Sequence, residues 1–99
     1  MIRHIFMGTF RAGVTQDEKQ TLLQEMRRMK DEIPTIAVLH VGLALGWTGG
    51  EDRIVVTADV KDRADFDAYL GHPYHAEHVA ALSGRMLEED SYTMAQIEL

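Results

Sequence analysis

The side chains best suited to chemistry are crowded into Ala68–Val79, AYLGHPYHAEHV, which holds three of the chain's five histidines within seven residues. An imidazole titrates near neutral pH, so it can move a proton, and its neutral form can ligate a metal. Local geometry is the third use of such a segment. Gly71 suits the left-handed exit of one helix, His72 the cap of the next, and Pro73 a first helical position where the missing N–H costs nothing. As metal ligands, His72, His75 and His78 are poorly set: three-residue steps on a helix fan the rings over roughly 60° in total, and His72 stands at the cap. No other segment offers a completing ligand spacing, so no metal is expected.

As an acid–base group His75 is better placed. It falls near the third helical position after Pro73, where free N–H groups and the positive end of the helix dipole disfavour an added charge. A neutral imidazole is the form that accepts a proton. Tyr69, on the preceding helix, could orient a carbonyl or share the proton. A plainer reading stays open for both: His75 satisfied by local backbone or water, Tyr69 a core aromatic with its hydroxyl at the surface. His4, on an apolar strand face, is either a pocket group or a satisfied core histidine; His40 is expected to be the latter, and His72 to serve the turn.

The elements that must position these groups follow from periodicity. Ile2–Phe10 reads as a first strand, with His4, Phe6, Gly8 and Phe10 on one face and Ile5 and Met7 on the other. Thr15 and Glu18 have capping-box spacing, and Leu22, Leu23, Met26, Met29 and Ile33 recur at helical intervals until Pro34. Ile36–Leu45 and Arg53–Val60 read as strands flanking a turn at Trp47–Asp52. Asp62 caps a short helix carrying Phe66, Tyr69 and Leu70; the helix after Pro73 runs through Val79 and Leu82 towards Leu87, and Tyr92–Ile97 is a last strand. The order is β-α-β-β-α-β, an α+β arrangement with a four-stranded antiparallel sheet in one domain spanning residues 1–99.

Two helical layers cover only one sheet face, yet both faces of the first two strands are substantially apolar. A second copy packed sheet to sheet would cover the other face, giving a homodimer; alternatively the last strand and the 46–53 loop fold across it. Sixteen acidic residues against ten basic ones give a net charge of −6, with no Lys/Arg stripe, so nucleic acid and anionic membranes are poor partners. No cysteine is present to supply a disulfide, a thiolate ligand or a nucleophile. The N-terminal segment lacks a signal-peptide pattern and no apolar run approaches a membrane span, so a cytoplasmic protein is expected.

Four stretches, MIRHIFMGTF, LLQEMRRMKDEIPTI, HVG and above all AYLGHPYH, resemble the stress-responsive dimeric α/β barrel (Dabb) family. The last is similar to its AYL-x-HP-x-H signature. That family belongs to the ferredoxin-like superfamily, which also holds cofactor-free monooxygenases of antibiotic biosynthesis. The resemblance implies a homodimeric barrel with a pocket between helices and sheet in each protomer. By position it matches His75 to the catalytic histidine of a plant polyketide cyclase of the family, Tyr69 to its tyrosine and His4 to a pocket histidine. Phe6, Gly8, Leu22, Leu23 and Met26 match its substrate-binding positions.

Three residues depart from the pattern: Tyr74 replaces a small residue, His78 an apolar one, and Ile54 another histidine. The expected function is a cofactor-independent enzyme using His/Tyr acid–base chemistry on a polyketide-like or aromatic carbonyl compound, of cyclase, isomerase or lyase type. The alternatives are a non-catalytic stress-responsive or ligand-binding barrel and a cofactor-free monooxygenase. A hollow onto which His75 and Tyr69 converge favours the enzyme; a filled core there favours the binding protein.

Overall fold

The computed structural model describes residues 1–50 and 52–99. Among these, β1 (Ile2–Thr9), β2 (Val38–Leu43), β3 (Arg53–Val60) and β4 (Thr93–Glu98) form one sheet in the order β2-β3-β1-β4, with every neighbouring pair antiparallel. This is the expected ferredoxin-like arrangement. The expected turn at Trp47–Asp52 includes Glu51, which lies outside the described residues.

The first helical layer starts where the capping box predicts. The Thr15 hydroxyl accepts from the Glu18 N–H at 3.1 Å, and the Glu18 carboxylate accepts from the Thr15 N–H at 2.9 Å. Helix α1 (Gln16–Arg27) and helix α2 (Met29–Glu32) follow each other across Arg28, whose backbone stays helical at φ −67° and ψ −15°. The stripe Leu22, Leu23, Met26, Met29 and Ile33 is therefore buried along its whole length. Pro34 ends the layer by holding Ile33 in an extended conformation. β2 begins two residues later than the period suggests: Ile36 is buried, but the first sheet pair joins Val38 to Asp59.

The two-residue period sorts the sheet into two unlike faces. His4, Phe6 and Gly8 lie across from Ala58, Val56 and Ile54 under the helices, while Ile5 and Met7 lie across from Thr57 and Val55 on the opposite face. That open face also carries Val38 and Ile97, 41% and 48% exposed. It is less uniformly apolar than β2 suggested. His40 is exposed rather than a core residue, Gly42 offers no side chain, and Arg3 makes two hydrogen bonds of 2.8 and 2.9 Å to Asp59. That guanidinium holds the Asp59 carboxyl below the usual range. β4 pairs with β1 at the sheet edge and so does not fold across this face.

Helix α3 (Arg63–Gly71) starts under the Asp62 carboxylate, which accepts from the Asp65 N–H at 2.9 Å. Its exit corrects the expectation for Gly71, which is not left-handed; the glycines with positive φ are Gly13, Gly46, Gly49 and Gly50 among the described residues. The chain leaves instead through His72 in an extended conformation (φ −62°, ψ 136°) open to any residue. His72, the C-cap of α3, still serves the turn: its Nδ1 accepts from the Tyr74 N–H at 3.1 Å, while the N-cap of the next helical segment is Pro73 rather than the expected His72. A π-helical turn, Tyr74–Val79, leads into helix α4 (Ala80–Met86), and a short 3₁₀ turn at Glu89–Ser91 precedes β4.

Among the described residues no helix is long and apolar enough to cross a membrane. Because the Thr15–Glu18 pairs satisfy donors at the start of the helix that carries the core stripe, Thr15→Ala should cost about 1 kcal/mol of stability. Urea titration should show a lower midpoint at unchanged slope.

Candidate functional site

A cavity of about 330 Å³ separates the sheet from the helices. His4, Phe6, Val56 and Met94 rise into it from the sheet, and Met26 and Met29 close it from the first helical layer. Tyr69 and Leu70 come from α3, His75 and Val79 from the π-helical turn, and Ala80, Ser83 and Gly84 from α4. Glu89 and Tyr92 border it ahead of β4.

His75 reaches this wall because two helix ends meet beside it. The last carbonyls of a helix have no partner within it, and at the end of α3 the Leu70 carbonyl accepts from His75 Nδ1–H at 2.9 Å. A carbonyl oxygen only accepts, so Nδ1 carries the proton and Nε2 of the neutral ring carries a lone pair. Burial holds the His75 pKa below its ordinary value and outweighs the Leu70 carbonyl, which favours the charged form. The expectation rested on the dipole of the following helix; burial is the larger cause here.

Tyr69 stands edge-on to His75, with ring centroids 5.0 Å apart, and His4 stands edge-on to Tyr69 at 6.0 Å. The Tyr69 side chain is buried, its pKa is pushed up to about 12 by desolvation, and its hydroxyl meets no hydrogen-bond partner among the described residues. It is therefore a protonated donor at neutral pH. His4 Nδ1 accepts from the Gln96 amide at 3.0 Å, which leaves the proton on Nε2. Its pKa is lowered by burial and then by the proximity of His75, so protonation of one ring opposes protonation of the other.

The structure thus brings together His4, Phe6, Met26, Tyr69 and His75, and leaves Gly8, Leu22 and Leu23 off the cavity wall. Leu22 and Leu23 belong to the solid core. Gly8 faces Leu87, whose Cδ1 stands 2.9 Å from where a Cβ would lie, so that end of the sheet is sealed by packing. Ile54 is fully buried and off the wall as well. Met29, Ser83, Glu89, Tyr92 and Met94 line the cavity without any signal in the sequence beyond their polarity. His78 points away from His75: its Nε2 lies 3.4 Å from the Glu25 carboxylate, beside Tyr74, whose hydroxyl donates to the same carboxylate at 2.9 Å. No group of three His, Asp or Glu placed to hold a metal forms among the described residues.

Fold and cavity together define a ferredoxin-like α+β domain with a pocket between sheet and helices. The chain belongs to the stress responsive A/B barrel domain (Dabb) family, whose pattern matches residues 2–92. No match is found among curated proteins. The structure is similar to a dimeric ferredoxin-like protein of unknown function from Thermobifida fusca YX, with a TM-score of 0.85 and 28% identity over 99% of this chain and 90% of that one. It is similar to hydroxynitrile lyase from Passiflora edulis, with a TM-score of 0.83 and 14% identity over 99% of this chain and 92% of that one. An antibiotic biosynthesis monooxygenase matches with a TM-score of 0.69 and 14% identity over 100% of this chain and 98% of that one. These last two likenesses show the fold alone.

The hydrogen bonds and burial of the two histidines set a pH dependence. Both pKa values lie below 6.5 in the folded chain, so as pH falls the unfolded chain binds protons that the folded one refuses. Their contribution to stability is complete above about pH 6.5 and is lost as pH drops through the folded-state values. Denaturation midpoints should fall from pH 7.5 to 5 (about the His range), less steeply in the double variant His4→Gln, His75→Gln. Ring ¹⁵N NMR at neutral pH should report His75 as the Nδ1–H tautomer and His4 as the Nε2–H tautomer.

Proposed function

We propose that this cavity is an active site in which the protein's own side chains abstract a proton beside the carbonyl group of a small, largely apolar substrate. The observation that carries this reading is a hollow, in place of filled core, bordered by a neutral imidazole and an unpartnered phenol. His75 Nε2 takes the proton, the C–H electron pair forms a C=C bond, and the carbonyl oxygen becomes an enolate. Tyr69 O–H donates to that oxygen, and the high phenol pKa keeps the donor protonated. His4 is an auxiliary polar group. The enolate then attacks a second carbonyl within the substrate, regains a proton at another carbon, or expels a leaving group. Those outcomes are ring closure, isomerisation and elimination.

A non-catalytic ligand-binding barrel is the second reading, favoured by the mainly apolar character of the remaining wall. Proton exchange separates the two. With phenylacetone in D₂O, the wild-type protein should accelerate deuterium incorporation at the α-carbons, followed by ¹H NMR. His75→Ala should lower the enzymatic rate about 10²–10⁴-fold, and Tyr69→Phe about 10²-fold. An undiminished rate in His75→Ala removes that residue as the base, and binding without exchange supports the second reading.

The same proposal includes a two-fold homodimer, joined through the open sheet face. The exposed apolar side chains there support it, and the Thermobifida fusca protein with this fold is dimeric. Sedimentation should give twice the mass of one chain, and Met7→Asp, which places a charge in the middle of that face, should give monomers. A monomeric wild-type protein rejects the dimer.

A further inference from the structure

We infer that the cavity selects an uncharged, elongated ketone whose far end carries a hydroxyl group, held by the Ser83 side chain. This rests on the carbonyl reading above and extends it to a substrate class. His75, Val79 and Ser83 line the cavity at four-residue steps along consecutive helical turns. At about 1.5 Å per residue in α4 and less through the wider π-helical turn, Ser83 stands at most roughly 12 Å along the helical axis from His75. Ser83 is only 7% exposed, and its hydroxyl has no hydrogen-bond partner among the described residues. The hydroxyl opens on the cavity, and a ligand hydroxyl there would gain a hydrogen bond that an alkyl end cannot make.

Charge sets the second condition. Among the described residues Glu89 is the one carboxylate on the cavity wall, and no Lys or Arg stands there to offset an anion. Its field reaches the neighbouring phenol: burial first and Glu89 next raise the Tyr92 pKa, against a smaller lowering by Arg11. Arg11 lies just behind the wall, on the Gly84 carbonyl, but is already paired with Glu88. A substrate ending in a carboxylate would therefore meet Glu89 with no free cation on the wall, whereas a neutral hydroxyl would not.

The test uses three methyl ketones of matched length: methyl ω-hydroxyheptyl ketone, methyl heptyl ketone and methyl ω-carboxyhexyl ketone. Isothermal titration calorimetry on the full chain should show the hydroxy ketone binding about three- to tenfold tighter than the plain ketone, with the acid weakest. Ser83→Ala, a change that favours the helix, should erase the preference for the hydroxyl. Glu89→Gln should strengthen binding of the acid and leave the hydroxy ketone unchanged. Equal affinity of wild type for the hydroxy and plain ketones, a preference that survives in Ser83→Ala, acid binding unmoved by Glu89→Gln, or binding of none of the three overturns the inference. Calorimetry reads occupancy and not turnover, so this result and the proton-exchange result can fail separately.

Discussion

The constraint on which this structure depends is the two-residue alternation of β1 at the centre of a sheet with helices on one face only. Paired with β3 on one side and β4 on the other, β1 cannot shift by one residue without exchanging its two sets of side chains. In the observed register His4 and Phe6 enter the space beneath the helices, while Ile5 and Met7 go to the face the helices leave open. A slip would put Arg3 and Ile5 under the helices and expose His4. Core, cavity and open face are thus consequences of one register.

The cavity wall is braced where α3 gives way to the π-helical segment. The turn from α3 into the π-helical segment is tied by the Leu70 carbonyl to His75 and by His72 Nδ1 to the Tyr74 N–H. A π-helical turn adds a residue to the helical circuit, a feature frequent at functional positions, and here it runs from Tyr74 through His75 to Val79. Within that space the protonation states diverge for physical reasons: burial keeps two imidazoles neutral and a phenol protonated. An acceptor and a donor therefore coexist at neutral pH without a metal-like concentration of charge.

Two of the departures from the family pattern belong together. Tyr74 and His78 face the same partner, Glu25 of α1, whose backbone carbonyl also accepts from the Tyr74 hydroxyl at 2.7 Å. The hydrogen bond from Tyr74, helped by His78 and Arg28, keeps the Glu25 carboxyl below its ordinary range, and Tyr74 itself is pushed up to about 12 by burial and by that carboxylate. Taken singly, a bulky residue inside HP-x-H and a histidine at an apolar position look like losses. In the folded chain they are the two halves of a polar clasp between the π-helical turn and α1.

Periodicity and capping chemistry made the architecture legible in the sequence: the Thr15–Glu18 box, the Leu22-to-Ile33 stripe, the Pro34 stop and the β-branched run of β3 are all local statements about backbone geometry. His4, Tyr69 and His75 were legible as candidates through residue type and motif, and Phe6 and Met26 as neighbours of the cavity. Tertiary structure alone decided that Gly8 is sealed beneath Leu87, that His40 faces outward and that Ser83, Glu89 and Tyr92 share a wall with His75. Gly71 marks the boundary between the two: its residue type suggested a left-handed exit, but the path to His72 is set by where the next helix must dock. Local sequence encodes which backbone conformations are favourable, whereas a cavity is the space left when distant elements pack. No single segment contains that information.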